Sequence, residues 1–375
     1  MPKPPIRILV VDDSLVIRKV VSDTLRKDTV FEVVGTAGDG RIAIAKLPAL
    51  NPDLIILDMA MPNMNGMETL VEVRKTHPKL PIIIFSTLSI RGGAETMEAL
   101  ALGASDYATK PVDRGSLEAT VEAIQKDLIP KIKVLCGLTS LRVAAQEATP
   151  PLRARALPSR IDIVAIGAST GGPNALAEVI PHLPAGFPVP VVIVQHMPAT
   201  FTGLLAERLS RNAAITVAEG SAGTMLAGGQ AWIAPGNFHM TVVVPTTVAS
   251  GPAWRLSLNQ DPPEHSCRPA VDMLFRSVAA AGGPHVLGVV MTGMGADGAL
   301  GARRIREAGG EVIVQDEATS VVWGMPGAVC AAGQADGIFP LDQLAGEITR
   351  RVQSHRAARA VSAASIFAKL ESSFK

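Results

Sequence analysis

Apolar and polar positions follow two rhythms along this chain, and the pattern restarts partway through. Ile6 to Val11, Phe31 to Thr36, Asp53 to Leu57 and Pro81 to Phe85 are short runs rich in β-branched residues, which predict strands buried in a parallel sheet. Between and after them the period lengthens. Ile17, Val20, Val21 and Leu25 share one helical face, as do Leu117, Val121, Ile124 and Leu128. Strand and helix alternating in this way predict a doubly wound α/β sheet, whose ligands bind beyond the carboxyl ends of the strands. A second alternation opens with Ile161, Ile163, Val164 and Ile166, and continues through Val189 to Val194, Gln230 to Ala234 and His285 to Met291. The helical stripe Val271, Leu274, Phe275 and Val278 falls within it, so a second α/β domain with a mostly parallel sheet is expected.

Between the two patterns the periodicity fails after Leu141, and residues 149–160, TPPLRARALPSR, carry three prolines and three arginines. This predicts a flexible basic tether, with a helix before it broken at Pro130. The expected division is a first domain over residues 6–128, a linker over 129–160, a second domain over 161–354 and a tail over 355–375, where Ile366, Phe367 and Leu370 are weakly amphipathic.

A length of 375 residues fits two cores better than one, and 47% hydrophobic against 18% charged residues excludes a largely disordered chain. The formal charge of +1 gives no reason to expect nucleic acid or an anionic membrane as a partner. Cys136, Cys267 and Cys330 are scattered and odd in number, which predicts free thiols in a reducing cytoplasm and no metal cluster built from them. Nowhere do 18 apolar residues run together, so neither membrane insertion nor export is expected.

Chemistry concentrates at predicted strand ends. In the first domain Asp12 and Asp13 follow the first strand, Asp58 the third, Ser86 the fourth and Lys110 the fifth. Converging carboxylates repel one another unless a hard cation lies among them, and Mg²⁺ suits oxygen donors. Lys110 and the Ser86 hydroxyl could then meet an incoming phosphoryl group, with Asp58 as its acceptor. Taken singly, each residue reads as a cap or a solvated charge; five at successive strand ends point to a site.

Residues 6–128 resemble a response-regulator receiver domain through VDD at Val11 to Asp13, LDMAMPNMNG at Leu57 to Gly66 and ATKP at Ala108 to Pro111. The resemblance implies a (βα)5 fold, a histidine kinase as phosphodonor, Mg²⁺ held by Asp12, Asp13 and Asp58, and a responding pair in Ser86 and Tyr107. Ala60 departs from it, being small and apolar where relatives often carry a polar or acidic side chain.

In the second domain Gly167, Ser169 and Gly171 form G-x-S-x-G between a strand and the helix opening at Pro173. Such a turn pushes a hydroxyl out of the sheet, and the amides opening the helix could face a developing negative charge. A phosphate-binding turn or a simple helix cap are the plainer readings, although no lysine follows Gly172 and no G-x-G-x-x-G is present. His196 and Asp297 also follow strands. A serine hydroxyl needs a base to take its proton and an acid to orient that base, and these residue types supply both. Spacing alone leaves His239, His265, Asp261 and Asp272 as alternatives, and leaves Asp297 as a possible cap of its own helix. The order Ser, His, Asp is not that of α/β-hydrolases. A DNA-binding output is disfavoured by the lack of a helix-turn-helix pattern; a nucleotide-binding module would use the glycines at 171–172 and 293–298.

IGASTGG, VQHMP, APGNFH, RPAVDMLF, LGVVMTGMGADG and EATSVVWGMP, spanning Ile166 to Pro326, resemble the catalytic domain of the chemotaxis protein-glutamate methylesterases. The resemblance implies Ser169 as nucleophile, His196 as general base, Asp297 as its orienting partner and the Met294 amide at the oxyanion position. It also implies methylated chemotaxis receptors as substrates, glutamine deamidation beside ester hydrolysis, no cofactor for hydrolysis, a cytoplasmic location and a monomer.

Overall fold

The computed structural model describes residues 4–87, 89–110, 117–138, 160–244 and 254–354. The chain divides into two compact units, Met1–Ser140 and Leu141–Lys375.

In the first unit β1 (Ile6–Val11), β2 (Phe31–Ala37), β3 (Leu54–Leu57), β4 (Ile82–Thr87) and β5 (Asp106–Lys110) form one sheet in the order β2-β1-β3-β4-β5. Every pairing is parallel, which places all five carboxyl ends on one edge. The connecting helices are α1 (Leu15–Leu25), α2 (Gly40–Leu50), α3 (Gly66–Thr76), α4 (Ile90–Ala101) and α5 (Leu117–Ala123). Their starts follow from local chemistry. Ser14 accepts a hydrogen bond from the Ile17 amide to open α1, and Asn65 and Glu68 form a reciprocal capping box on α3.

The expected break at Pro130 does not occur. After α5 the chain makes one π-helical turn, Ile124–Leu128, and continues as α6 (Ile129–Leu135). Pro130 follows directly on the π-helical turn, where the Ile129 amide bonds the Ile124 carbonyl five residues back, so the residue without an amide falls where the hydrogen-bond ladder is already reset. Ile124, Leu128 and Ile132 are buried in one core with Val10, Val21, Leu25 and Phe85, so packing continues beyond Leu128. Burial of each such side chain contributes roughly 1.5–3 kcal/mol. The rest of the expected linker, residues 139–159, and the expected tail, residues 355–375, lie outside the described residues.

The second unit is built on β6 (Ile163–Ala168), β7 (Val191–Gln195), β8 (Thr216–Glu219), β9 (Gln230–Ile233), β12 (Val286–Val290), β13 (Glu311–Gln315) and β14 (Gly337–Phe339). They form a parallel seven-stranded sheet in the order β14-β13-β12-β6-β7-β9-β8. The antiparallel ribbon of β10 (His239–Val243) and β11 (Arg255–Asn259) stands apart from that sheet and was not expected from the sequence. Its helices are α7 (Gly172–Val179), α8 (Ala199–Asn212), α9 (Val271–Gly282), α10 (Ala299–Glu307), α11 (Met325–Ala331) and α12 over residues 341–354. The stripe on α9 is buried as expected, with Leu274, Phe275 and Val278 in one cluster with Ile163 of β6, Val192 of β7 and Met240 and Leu256 of the ribbon.

From β6 the chain moves first to β7 on one side and returns later as β12 on the other. A reversal of that kind opens a crevice at the carboxyl ends of the strands. Among the described residues, no helix is long and apolar enough to cross a membrane.

Candidate active site

Ser169 leaves the end of β6, the strand between β7 and β12. Its amide donates to the Thr292 carbonyl at 3.0 Å, and its carbonyl accepts from the Gly172 amide at 2.7 Å. The first bond ties the serine to the loop after β12, and the second closes the turn into α7. Gly171 has φ of 77°, which a side chain would strain, so glycine is required just where the strand becomes a helix. The expectation that the amides opening α7 would face the hydroxyl is revised in part, because the Gly172 amide is engaged by the serine's own carbonyl.

His196 follows β7, and its amide donates to the Ala168 carbonyl at 3.1 Å. Gln195 adds a clamp. Its Nε2 donates to the carbonyls of Ser169 at 2.9 Å and His196 at 3.2 Å, so one buried amide spans both strand ends. The Thr292 hydroxyl does similar work on the other side, donating to the Thr170 carbonyl at 2.9 Å.

Asp297 sits in the loop between β12 and α10, and it is not the cap of its own helix. Its Oδ2 accepts from the Val271 amide at 2.7 Å and its Oδ1 from the Asp272 amide at 2.8 Å, which caps α9. Asp272 returns the arrangement by accepting from the Gly301 amide in α10 at 2.6 Å. The same Oδ2 of Asp297 lies 2.7 Å from His196 Nε2. Burial alone would raise the Asp297 carboxyl, but His196 and the two amides outweigh it and hold the pKa below its ordinary value. Burial pulls His196 down, yet Asp297 and then Cys267 more than compensate, raising it to about 9. The histidine keeps 11% of its side chain exposed and the carboxylate 2%, so only the base is open to a reactant.

With Nε2 committed to Asp297, Nδ1 is the nitrogen left to accept a proton. Its recorded partner is Cys267 Sγ at 3.5 Å, and among the described residues the Ser169 hydroxyl makes no hydrogen bond to His196. The sequence marks Cys267 only as a free thiol, and Gln195 only as a member of VQHMP with no role of its own. Its position directly before His196 at a strand end was the available signal.

The other expected positions separate cleanly. Gly293 packs against the serine so closely that a Cβ there would stand 2.9 Å from the Ser169 Cβ. Met294 follows it, and its amide donates to no backbone carbonyl among the described residues. His239 is fully buried with Nδ1 accepting from the Ala270 amide at 3.2 Å and Nε2 facing the Pro262 carbonyl, so it holds backbone. His265 pairs with Asp272 at 2.9 Å rather than with Asp297, and Asp261 is exposed.

In the first unit Lys110 Nζ lies 2.7 Å from both Asp12 Oδ2 and Asp58 Oδ1, so one cation joins the ends of β1, β3 and β5. Burial raises the Asp58 pKa to about 6; Lys110 opposes the shift and Asp12 adds to it. Asp12, Asp13 and Asp58 bring carboxylate oxygens within 4.8 Å of one another, an all-oxygen donor set that fits a hard divalent cation. Ser86 is buried and its hydroxyl donates to the Gly92 carbonyl at 3.2 Å, while Tyr107 is buried with its phenol pushed well up by that burial. Millimolar Mg²⁺ is expected to raise the melting temperature of the first unit in the full-length protein by about 4 °C or more at pH 7. Differential scanning calorimetry with EDTA as the control checks this, and an equal shift in Asp12→Asn/Asp58→Asn would count against these ligands.

Residues 164–348 match the CheB methylesterase family model, and residues 8–122 match the response regulator receiver domain. The protein-glutamate methylesterase/protein-glutamine glutaminase of Trichodesmium erythraeum (strain IMS101) is 50% identical over 355 residues, covering 93% of this chain and 99% of that one. That of Nocardioides sp. (strain ATCC BAA-499 / JS614) is 49% identical over 367 residues, covering 94% and 97%. Likeness of this extent runs through both units, and the chain belongs to the CheB methylesterase family, with a response regulator receiver domain ahead of the methylesterase domain.

Proposed function

We propose that this protein hydrolyses glutamate γ-methyl esters on chemotaxis receptors, and deamidates receptor glutamines, through Ser169, His196 and Asp297. Membership of the family carries the methylesterase and glutaminase activity; the roles of the residues rest on the site. The observation that bears most weight is the 2.7 Å contact between His196 Nε2 and an Asp297 carboxylate whose charge two helix amides stabilise. A carboxylate fixed in this way sets the tautomer, leaving the Nδ1 lone pair to act.

In the proposed reaction Nδ1 takes the proton from the Ser169 hydroxyl as the oxygen attacks the ester carbonyl. Negative charge develops on the carbonyl oxygen, where the Met294 amide donates to it. Collapse breaks the bond to the methoxy group, which leaves as methanol with the proton from His196. Water then loses a proton to Nδ1 as it attacks the acyl-enzyme, and collapse breaks the bond to Ser169 Oγ, which takes that proton back from His196 as the glutamic acid product leaves and ionises. No cofactor is needed for any of these steps.

Control is assigned to the receiver. A histidine kinase supplies the phosphoryl group to Asp58, with Lys110 and Ser86 supporting it and Tyr107 responding. Asp12, Asp13 and Asp58 would hold Mg²⁺, which when bound supplies positive charge at that site. Phosphorylation relieves inhibition of the methylesterase domain and so serves sensory adaptation. Initial rates of methanol release from methylated receptor fragments are expected to rise about tenfold with a small-molecule phosphodonor and Mg²⁺. Asp58→Asn should stay at the basal rate; a variant that is still stimulated would remove Asp58 from the scheme.

A further inference from the structure

The turn before α9 brings Cys267 to the histidine. Glu264 and Cys267 exchange backbone hydrogen bonds at 3.1 and 2.8 Å, and between them His265 and Ser266 have φ of 50° and 61°. Two consecutive side-chain-bearing residues therefore sit in the left-handed region, which disfavours them. The turn is fixed at its other points by Arg276 donating to Glu264 at 3.0 Å and by His265 against Asp272 at 2.9 Å. A strained and tightly anchored turn thus places Sγ 3.5 Å from His196 Nδ1.

That nitrogen is the one on which the proposed function depends. We propose that Cys267 is a positioning residue for the hydrolytic reaction: its sulfur holds the Nδ1 side of the His196 ring in the resting site and yields that nitrogen to the Ser169 hydroxyl when the substrate is seated. The inference rests on the reading of His196 as base. Without Cys267 the ring would be held at Nε2 alone and could turn about that single contact. The displacement transfers no atoms, since a thiol contact at Nδ1 is exchanged for a hydroxyl contact.

Asp297 faces the His196 ring from the loop after β12 and Cys267 from the turn before α9, with Asp272, His265, Glu264 and Arg276 behind them. Cys267 also contributes to the raised pKa of His196, because the sulfur can accept from the protonated ring.

The test measures kcat/KM against pH for the full-length protein with a peptide carrying a glutamate γ-methyl ester, in wild type, Cys267→Ala, Cys267→Ser and Ser169→Ala. In Cys267→Ala the rising limb should move toward lower pH, and the plateau above it should fall about threefold to tenfold. Cys267→Ser, whose hydroxyl can meet the same nitrogen, should keep the plateau within about twofold, and it decides the matter if the alanine variant does not fold. A wild-type limb and plateau in Cys267→Ala, with Ser169→Ala inactive, would overturn this inference and leave the serine mechanism intact. An active Ser169→Ala would instead overturn the mechanism itself.

Discussion

Ser169→Ala is expected to lose methanol release by about 10⁴-fold or more while its melting temperature stays within about 2 °C of the parent. The two halves of this expectation have different origins. The loss follows because the attacking hydroxyl itself is removed, and the residual rate would depend only on binding and the oxyanion donor. The retained stability follows from the way the turn is held. Its bonds to Thr292, Gly172 and Gln195 all use the backbone of Ser169, so removal of Oγ breaks none of them. Methanol release and calorimetry on the same preparation check both halves, and activity above about a hundredth of the parent would rule out Ser169 as the nucleophile.

Asp297→Asn should be nearly as damaging to the rate, by about 10³- to 10⁴-fold, and unlike the serine variant it should also weaken the fold. Both carboxylate oxygens accept hydrogen bonds, Oδ1 from Asp272 and Oδ2 from Val271 and His196. An asparagine can turn only one acceptor oxygen toward these partners. If the oxygen serves Asp272, an NH2 group meets Val271 and His196; the reverse choice sets it against the Asp272 amide. Either arrangement leaves a buried donor unpaired, at a cost of about 1–3 kcal/mol.

The pH profile follows as well. His196 must be neutral to accept a proton, and with its pKa raised to about 9 the parent rate should climb from neutral pH and level off above that value. Loss of the Asp297 charge removes the strongest influence raising it, so the limb in Asp297→Asn should move toward lower pH. A stopped assay across pH 6 to 10 follows the change; an unmoved limb would mean that a different residue governs it.

Much of this architecture was legible because hydrophobic periodicity reports burial. The run Ile6 to Val11 became β1 without adjustment, and the stripe from Val271 to Val278 became the buried face of α9. Residues at strand ends could be named for the same reason, since a parallel sheet delivers all of them to one edge. Relations across the fold were not legible. Asp297 caps α9, not the helix that follows it, because the partner amides lie more than twenty positions earlier in the chain. Gln315 accepts from the Thr292 amide at 2.8 Å and so steadies the loop that binds Ser169, yet in EVIVQ it reads as the polar end of a short strand. The ribbon β10–β11 was missed because Met240 and Val242 alternate with polar or exposed positions over only five residues, too short a pattern to separate a strand from a loop. Cys267 escaped notice because nothing in linear order connects it with His196.

The helical run beyond α5 has a practical consequence. Lys131 donates to the Tyr107 carbonyl at 2.6 Å, reaches Asp127 at 2.6 Å and stands 4.9 Å over the Tyr107 ring, while Ile132 fills the core beneath. A recombinant fragment cut at Leu128, where sequence periodicity would place the scissors, would discard the ammonium clasping β5 and leave a hole where Ile132 belongs. Such a truncation would behave as a damaged receiver, and its phosphorylation kinetics would describe the injury; cloning boundaries for an intact fragment lie after Leu138.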